Sequence, residues 1–379
     1  MKAPTTERLL SLDVLRGFDL FFIVAVEHVI HPFFNATNTP WSEQLHWYFD
    51  HVKWQGFSPW DLIMPLFLFM AGVSMPFAFA KYKNIPDKGA VYRRIIKRVV
   101  ILWIFGMICQ GNLLGLEPMT RLYLYSNTLQ AIATGYFIAA MLFLHISVRK
   151  QIAVSVLLLI IYWAAMQFIS FNGYGGGNYT PDANLAEGID RYALGRFRDL
   201  SSVVNGQVIF DPDYHYTWIL SSLNFGVTVM TGVFAGIILK NKATSKHYKL
   251  RCLFITGVCM VLAGWLWNFQ MPVIKKIWTS SMVLVSSGYC FLLMGMFYYL
   301  IDYKGYKRHI SWLQVYGTNS ITAYMLALCI NFSSIGNSLL YGTEQYFGAY
   351  YPVLIALVNA IIIFLILKYM YKKQIFLKV

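Results

Sequence analysis

The residues best suited to chemistry lie in one stretch, Tyr48-Phe49-Asp50-His51-Val52-Lys53-Trp54-Gln55-Gly56-Phe57-Ser58-Pro59-Trp60-Asp61-Leu62. His51 carries the side chain whose reference pKa, about 6.5, lies closest to neutral pH. Asp61 follows ten residues later, at the mouth of an apolar run that continues to about Ala80. A histidine and a carboxylate held at a membrane edge suit proton transfer. The imidazole takes a proton from an attacking amine or hydroxyl, and the acid orients the ring. Glu27 is the second acid in a position to orient it.

Composition identifies the elements that must position these groups. The 379 residues are 58% hydrophobic and only 13% charged, with a mean hydropathy of +0.52. Soluble domains carry about 25% charged residues. Apolar runs of roughly 20 residues recur, the length that crosses a ~30 Å hydrocarbon core as a helix. Backbone groups in lipid must be satisfied within the segment, and the alternation of barrel strands is absent. The chain therefore reads as an all-α integral membrane protein, a single domain over 1–379. It forms a bundle of about ten transmembrane helices near 12–32, 59–81, 95–115, 126–146, 151–171, 216–239, 251–269, 278–301, 310–330 and 351–371. The first run lacks a small-residue cleavage site and is read as a retained helix.

A net charge of +14 raises the question of nucleic acid. The positions of the basic residues answer it. Twenty-three of the 31 lysines and arginines fall on one side of the predicted bundle, seven on the other, and Arg16 inside the first span. The positive-inside rule then places both termini in the cytoplasm of a cell membrane, such as a bacterial inner membrane. No nucleic-acid partner is expected. Two long loops, near 33–58 and 172–215, lie outside. The second opens on a glycine-rich segment without apolar periodicity and carries Asp190, Arg191, Arg196, Arg198, Asp199, Asp211 and Asp213. Loops of that length commonly serve as lids or binding loops.

Charged groups at membrane depth face a cavity or a partner. Asp13 and Arg16 are spaced to pair on one helix face, and Arg16 is also placed to meet an anion entering from the cytoplasm. Glu27 and His28 are adjacent and point about 100° apart, so no metal site is expected. Gln130, Asn224 and Asn319 suit hydrogen bonds between helices. Gly232 and Gly236 form a small-xxx-small pair for close helix contact. The five cysteines all fall within predicted spans, which does not indicate disulfides.

Ser11-Leu12-Asp13-Val14-Leu15-Arg16-Gly17 resembles the opening motif of the heparan-α-glucosaminide N-acetyltransferase family and its bacterial transmembrane acyltransferase relatives. The similarity continues in order through Asp50-His51-Val52-Lys53-Trp54-Gln55-Gly56 with Asp61-Leu62-Ile63-Met64-Pro65, and Asn127-Thr128-Leu129-Gln130-Ala131-Ile132. It then runs through Gly188-Ile189-Asp190-Arg191, Asp211-Pro212-Asp213, Pro272 to Thr279, and Gly317-Thr318-Asn319-Ser320. Two positions depart from the family pattern. Glu27 stands where the family's lumenal enzyme has asparagine, and Ala131 follows Leu-Gln where the family has arginine.

The resemblance implies a multipass enzyme that takes acetyl-CoA from the cytoplasm and acetylates an amino sugar or glycan on the far side, with His51 catalytic. Direct transfer and an acetyl-histidine relay are both open. Arg16, Arg93, Arg94, Arg98, Gln130 and Asn319 are the candidates for contact with CoA. Lys275, Asp190 and Trp54 are the candidates for the acceptor. The expected partners are acetyl-CoA, the acceptor and the lipid bilayer, with a homodimer one open assembly. No metal cofactor is expected. The animal enzyme's preceding lumenal domain has no counterpart here, so a processed two-chain form is not expected. The alternative reading is a multipass transporter of an amino sugar or similar solute; its inverted repeat is not found.

Overall fold

The computed structural model describes residues 9–116 and 120–377. Lys2, Arg8 and Lys378, part of the basic-residue count, lie outside the described residues. From the N-terminus, α1 (Leu10–Phe21) runs through a π-helical segment (Phe22–Val26) into α2 (Glu27–Thr37). A short α3 (Pro40–His46) follows, then a 3₁₀ turn (Pro59–Leu62) that leads into α4 (Ile63–Phe79). Next come α5 (Gly89–Gly111), α6 (Thr128–His145) and α7 (Val148–Phe168). The second long loop contains α8 (Leu185–Leu194). It also holds two small antiparallel hairpins, β1 (Ser170–Phe171) with β2 (Tyr174–Gly175) and β3 (Ser202–Val204) with β4 (Gln207–Ile209).

The remaining membrane helices are α9 (Ser222–Lys240), α10 (Lys246–Trp267) and α11 (Ser280–Tyr298). They are followed by α12 (Ser311–Thr318) and α13 (Ser320–Cys329). After the short α14 (Ser333–Leu339) and α15 (Glu344–Phe347), α16 (Tyr351–Lys372) closes the chain.

Helices stand at all ten positions read from the sequence. Among the described residues, seven are long and apolar enough to cross a membrane, and the chain is a multipass membrane protein. The other three differ for physical reasons. The α1–α2 rod carries Asp13, Arg16, Asp19 and Glu27. Helix α5 packs Arg93, Arg94, Lys97 and Arg98 into its first turns. The ninth position is broken at Asn319, whose φ of −118° and ψ of 43° leave the helical region between α12 and α13. The glycine-rich opening of the second loop forms the β1–β2 hairpin, turned at Gly173 with φ +85°.

Two close helix contacts set the core. Gly232 lies where a Cβ would strike the Phe69 carbonyl, and Gly236 where one would strike Val73, so α9 and α4 pack backbone to backbone. Gly72 makes the reciprocal approach to Val229. Gly17 and Gly317 do the same between α1 and α12. Asn224 bridges α9 to the segment before α11, donating to the Trp278 carbonyl at 2.7 Å. These contacts join α4 to α9, α1 to α12, and α9 to the segment that leads into α11. The two long loops are folded over one end of the bundle, opposite the end rich in lysine and arginine.

Candidate active site

Ser58 and Pro59 open the turn before α4 with a capping arrangement. Asp61 sits at its third position. Its Oδ2 accepts from the Ser58 amide at 3.0 Å and lies 3.1 Å from the Ser58 hydroxyl. The cap occupies one oxygen and leaves the other. Asp61 Oδ1 lies 2.8 Å from His51 Nδ1. An anionic carboxylate accepts only, so Nδ1 carries the proton and Nε2 keeps its lone pair. This is the geometry of a base held by an orienting acid.

Lys275 completes the cluster. Its Nζ lies 3.3 Å from Asp61 Oδ1, and 3.0 Å and 3.3 Å from His51 Nδ1 and Nε2. An atom in the ring plane that close to both nitrogens would collide with Cε1, so the ammonium lies over the ring face. It does not block the Nε2 lone pair. The segment carrying Lys275 is anchored on the histidine loop: the Gly56 amide donates to the Val273 carbonyl at 2.9 Å, and Gln55 bridges Ile274. Thr279 locks the same segment by donating to the Pro272 carbonyl at 2.8 Å.

Electrostatics favour a neutral imidazole. Burial, and then the Lys275 cation, lower the His51 pKa against the opposing pull of Asp61. The ring remains 37% exposed, so the base is both poised and reachable. Burial also lowers the Lys275 pKa, opposed by Asp61 and Glu27.

A cavity of about 310 Å³ faces these groups. His51, Lys275 and Glu27 line it, as do Gln110, Asp199, Tyr214, Tyr216 and Trp218. Glu27 directly follows the π-helical segment, a feature common at functional sites. Burial pushes Asp199 up to about 6, against hydrogen bonds from the Leu200 amide and Gln110. Asp199 and the Tyr214–Tyr216–Trp218 stripe were not among the sequence candidates. The i, i+2, i+4 aromatic spacing in an extended segment was the available signal.

A second cavity of about 360 Å³ lies toward the basic end. Arg16, Arg94 and Arg98 line it, with Ser320 and Ile321 at the start of α13. Arg16 pairs with Asp13 at 3.7 Å. The Arg98 guanidinium lies 4.4 Å from the centre of the Tyr136 ring, and its buried Nε has no hydrogen-bond partner among the described residues. Thr128 and Tyr324 line both cavities, so the two spaces meet at a thin wall.

The other candidates sit elsewhere. Arg93 is exposed on α5 and lines neither cavity. Gln130 is fully buried and satisfied within its own helix start, accepting from the Ser126 and Asn127 amides at 2.8 and 3.1 Å. It shapes the wall residues rather than facing the space. Asn319 donates to the Ile375 carbonyl at 3.2 Å, beside the second cavity. Asp190 is buried, accepts from the Trp218 and Ile219 amides at 2.7 and 3.1 Å, and is pushed up to about 7 by that burial. It therefore braces the aromatic stripe from behind. Trp54 donates to the Tyr179 carbonyl at 2.9 Å and ties the two long loops together.

No family model matches the chain. It is similar to heparan-alpha-glucosaminide N-acetyltransferase of Homo sapiens, 26% identical over 370 residues, covering 84% of this chain and 52% of that protein. The Mus musculus protein of the same name is 25% identical over 376 residues, covering 86% and 54%. The chain spans about half the length of the curated relatives it matches. Matches that run through most of this chain, on an all-helical membrane fold, relate the protein to the heparan-alpha-glucosaminide N-acetyltransferase family.

Proposed function

We propose that this protein is a transmembrane acetyltransferase that uses cytoplasmic acetyl-CoA to acetylate an amino sugar or related glycan on the opposite side. The observation that carries this reading is the shared wall. A cavity with three arginines and a cavity with His51 and Lys275 on its wall and Asp61 nearby share Thr128 and Tyr324 as lining residues. CoA phosphates suit Arg16, Arg94 and Arg98, because guanidinium groups bind phosphate bidentately. The slender pantetheine arm then reaches the wall while the nucleotide stays in water.

At the other cavity the acceptor nitrogen attacks the thioester carbon. His51 Nε2 takes the proton from that nitrogen, with Asp61 supporting the developing imidazolium. The C–S bond breaks, and the CoA thiolate leaves and is protonated. Lys275 supplies positive charge beside the developing oxyanion, which is worth most in a water-poor site. Glu27 adds a negative group for a cationic acceptor.

Sidedness tests the reading. Purified protein in sealed vesicles, with labelled acetyl-CoA on one face and glucosamine on the other, is expected to give acetylated product only on the glucosamine face, matched by free CoA on the donor face. Uptake of unmodified glucosamine without CoA release would favour a transporter instead.

A further inference from the structure

We propose that Asp199 is the residue that selects the acceptor: its carboxylate binds a ring hydroxyl of the sugar, whose apolar face rests on Tyr216, with buried Trp218 backing that ring. The proposal rests on the amino-sugar reading above and names the residue that enforces it.

Asp199 is only 2% exposed, yet it lines the cavity that His51 and Lys275 line. Its wall-side contacts are fixed. Oδ1 accepts from the Leu200 amide at 2.9 Å and Oδ2 from Gln110 Nε2 at 2.7 Å. The Tyr214 side chain lines the same cavity, its hydroxyl held by Trp218 Nε1 at 3.0 Å. Gln110 cannot turn away, because its Oε1 accepts from Asn127 Nδ2 at 3.2 Å. Two donors leave about two of a carboxylate's four or so lone-pair sites, on a residue that lines the cavity. A carboxylate buried at that cost gains from one more donor, and a sugar hydroxyl provides one.

The aromatic stripe supplies the platform. Residues 214, 216 and 218 alternate along an extended segment and share one side. The Tyr216 and Trp218 rings stack with centroids 6.4 Å apart and planes at 28°. Both line the cavity. A pyranose offers an apolar C–H face to such rings and hydroxyls at its rim, the pairing of apolar wall and few polar anchors typical of small-ligand sites.

The test uses the full-length protein in detergent or nanodiscs. Asp199→Asn keeps the size and most wall contacts. Glucosamine affinity, read without donor by tryptophan fluorescence, is expected to fall about 10- to 100-fold, the worth of a hydrogen bond to a charged group. The glucosamine KM rises to match, and the acetyl-CoA KM stays unchanged. One monodeoxy glucosamine pays the same penalty in the unmodified protein and none further in Asp199→Asn. If Asp199→Asn folds poorly, Gln110→Leu gives a smaller loss in the same direction. Equal penalties for every deoxy analogue in both proteins, or unchanged glucosamine binding by Asp199→Asn, overturn the proposal. Binding that depends on Asp199 with no acetylation of any amino sugar keeps this assignment and overturns the transferase reading.

Discussion

Lys275 Nζ lies over the face of the His51 ring, 3.0 Å from Nδ1 and 3.3 Å from Nε2, while also reaching Asp61 Oδ1 at 3.3 Å. One carboxylate oxygen thus serves an imidazole and an ammonium together. The cation holds the imidazole neutral and the anion holds it in register. Such a cluster has a base free at Nε2 and a positive charge beside it, ready for a reaction that releases a proton and develops negative charge.

The pH dependence follows from the signs. Burial and Lys275 both disfavour imidazolium, so the His51 base form persists to lower pH than for an ordinary histidine. The acid limb of kcat/KM is expected below about 6.5. Lys275→Met removes the cation, raises the His51 pKa and moves that limb to higher pH. The alkaline limb, set by a Lys275 pKa that burial has lowered, falls below the usual lysine value of about 10.4 and disappears in the same variant. A pH–rate profile of the two proteins reads both shifts; an acid limb that does not move places Lys275 outside the reaction.

Asp61→Asn offers an amide where Nδ1–H needs an anion. Turnover is expected to fall on the order of 10²–10⁴-fold, through a misoriented or wrong-tautomer ring. Folded yield is kept, because asparagine still caps the Ser58 amide. Steady-state rates beside a detergent melting curve separate the two effects. A collapse in folded yield with normal specific activity would make Asp61 a cap and nothing more.

Arg94→Ala and Arg98→Ala are expected to raise the acetyl-CoA KM about tenfold or more each, with Arg98→Lys only a partial rescue. Arg93→Ala, on the exposed face of α5, leaves it near normal. The discriminating measurement is donor KM at fixed, saturating acceptor. Equal effects at 93, 94 and 98 would indicate general surface charge rather than the cavity.

Gly232→Ala places a methyl against the Phe69 carbonyl and forces α4 and α9 apart. Overpacking of this kind costs roughly 1–3 kcal/mol. A lowered detergent Tm, and a smaller effect for the same change at Gly336, where a Cβ meets only ordinary contacts at 3.5 Å, would be the expected pair of results.

Much of this architecture was legible in the sequence, and the reason is periodicity. Apolar length gave the ten helix positions, and the small-residue pair at Gly232 and Gly236 marked a close helix contact, whose partner, α4, only the structure identifies. His51 and Asp61 were legible because ten residues of chain and one proline turn bring them together. What stayed hidden depends on closure by distant segments. Lys275 reads as a candidate for the acceptor, and its place beside the imidazole emerges only when the Gln55–Ile274 bridge sets its loop against the histidine loop. Asp190 and Asp199 look alike in a charged loop, yet one props backbone amides and the other faces the cavity. Gln130 and Gln110 look alike in sequence, and only tertiary contacts distinguish the buried cap from the cavity residue.

His51→Ala tests the central claim most directly, in the full-length protein with labelled acetyl-CoA and an amino sugar that the unmodified protein acetylates. Removal of a general base predicts a loss of about 10²–10⁴-fold in turnover, with CoA binding and folded yield intact. Rapid-quench mass spectrometry of the unmodified protein with donor alone then separates direct transfer, which leaves His51 unmodified, from a relay, which leaves it acetylated. Near-normal turnover by His51→Ala would contradict the account.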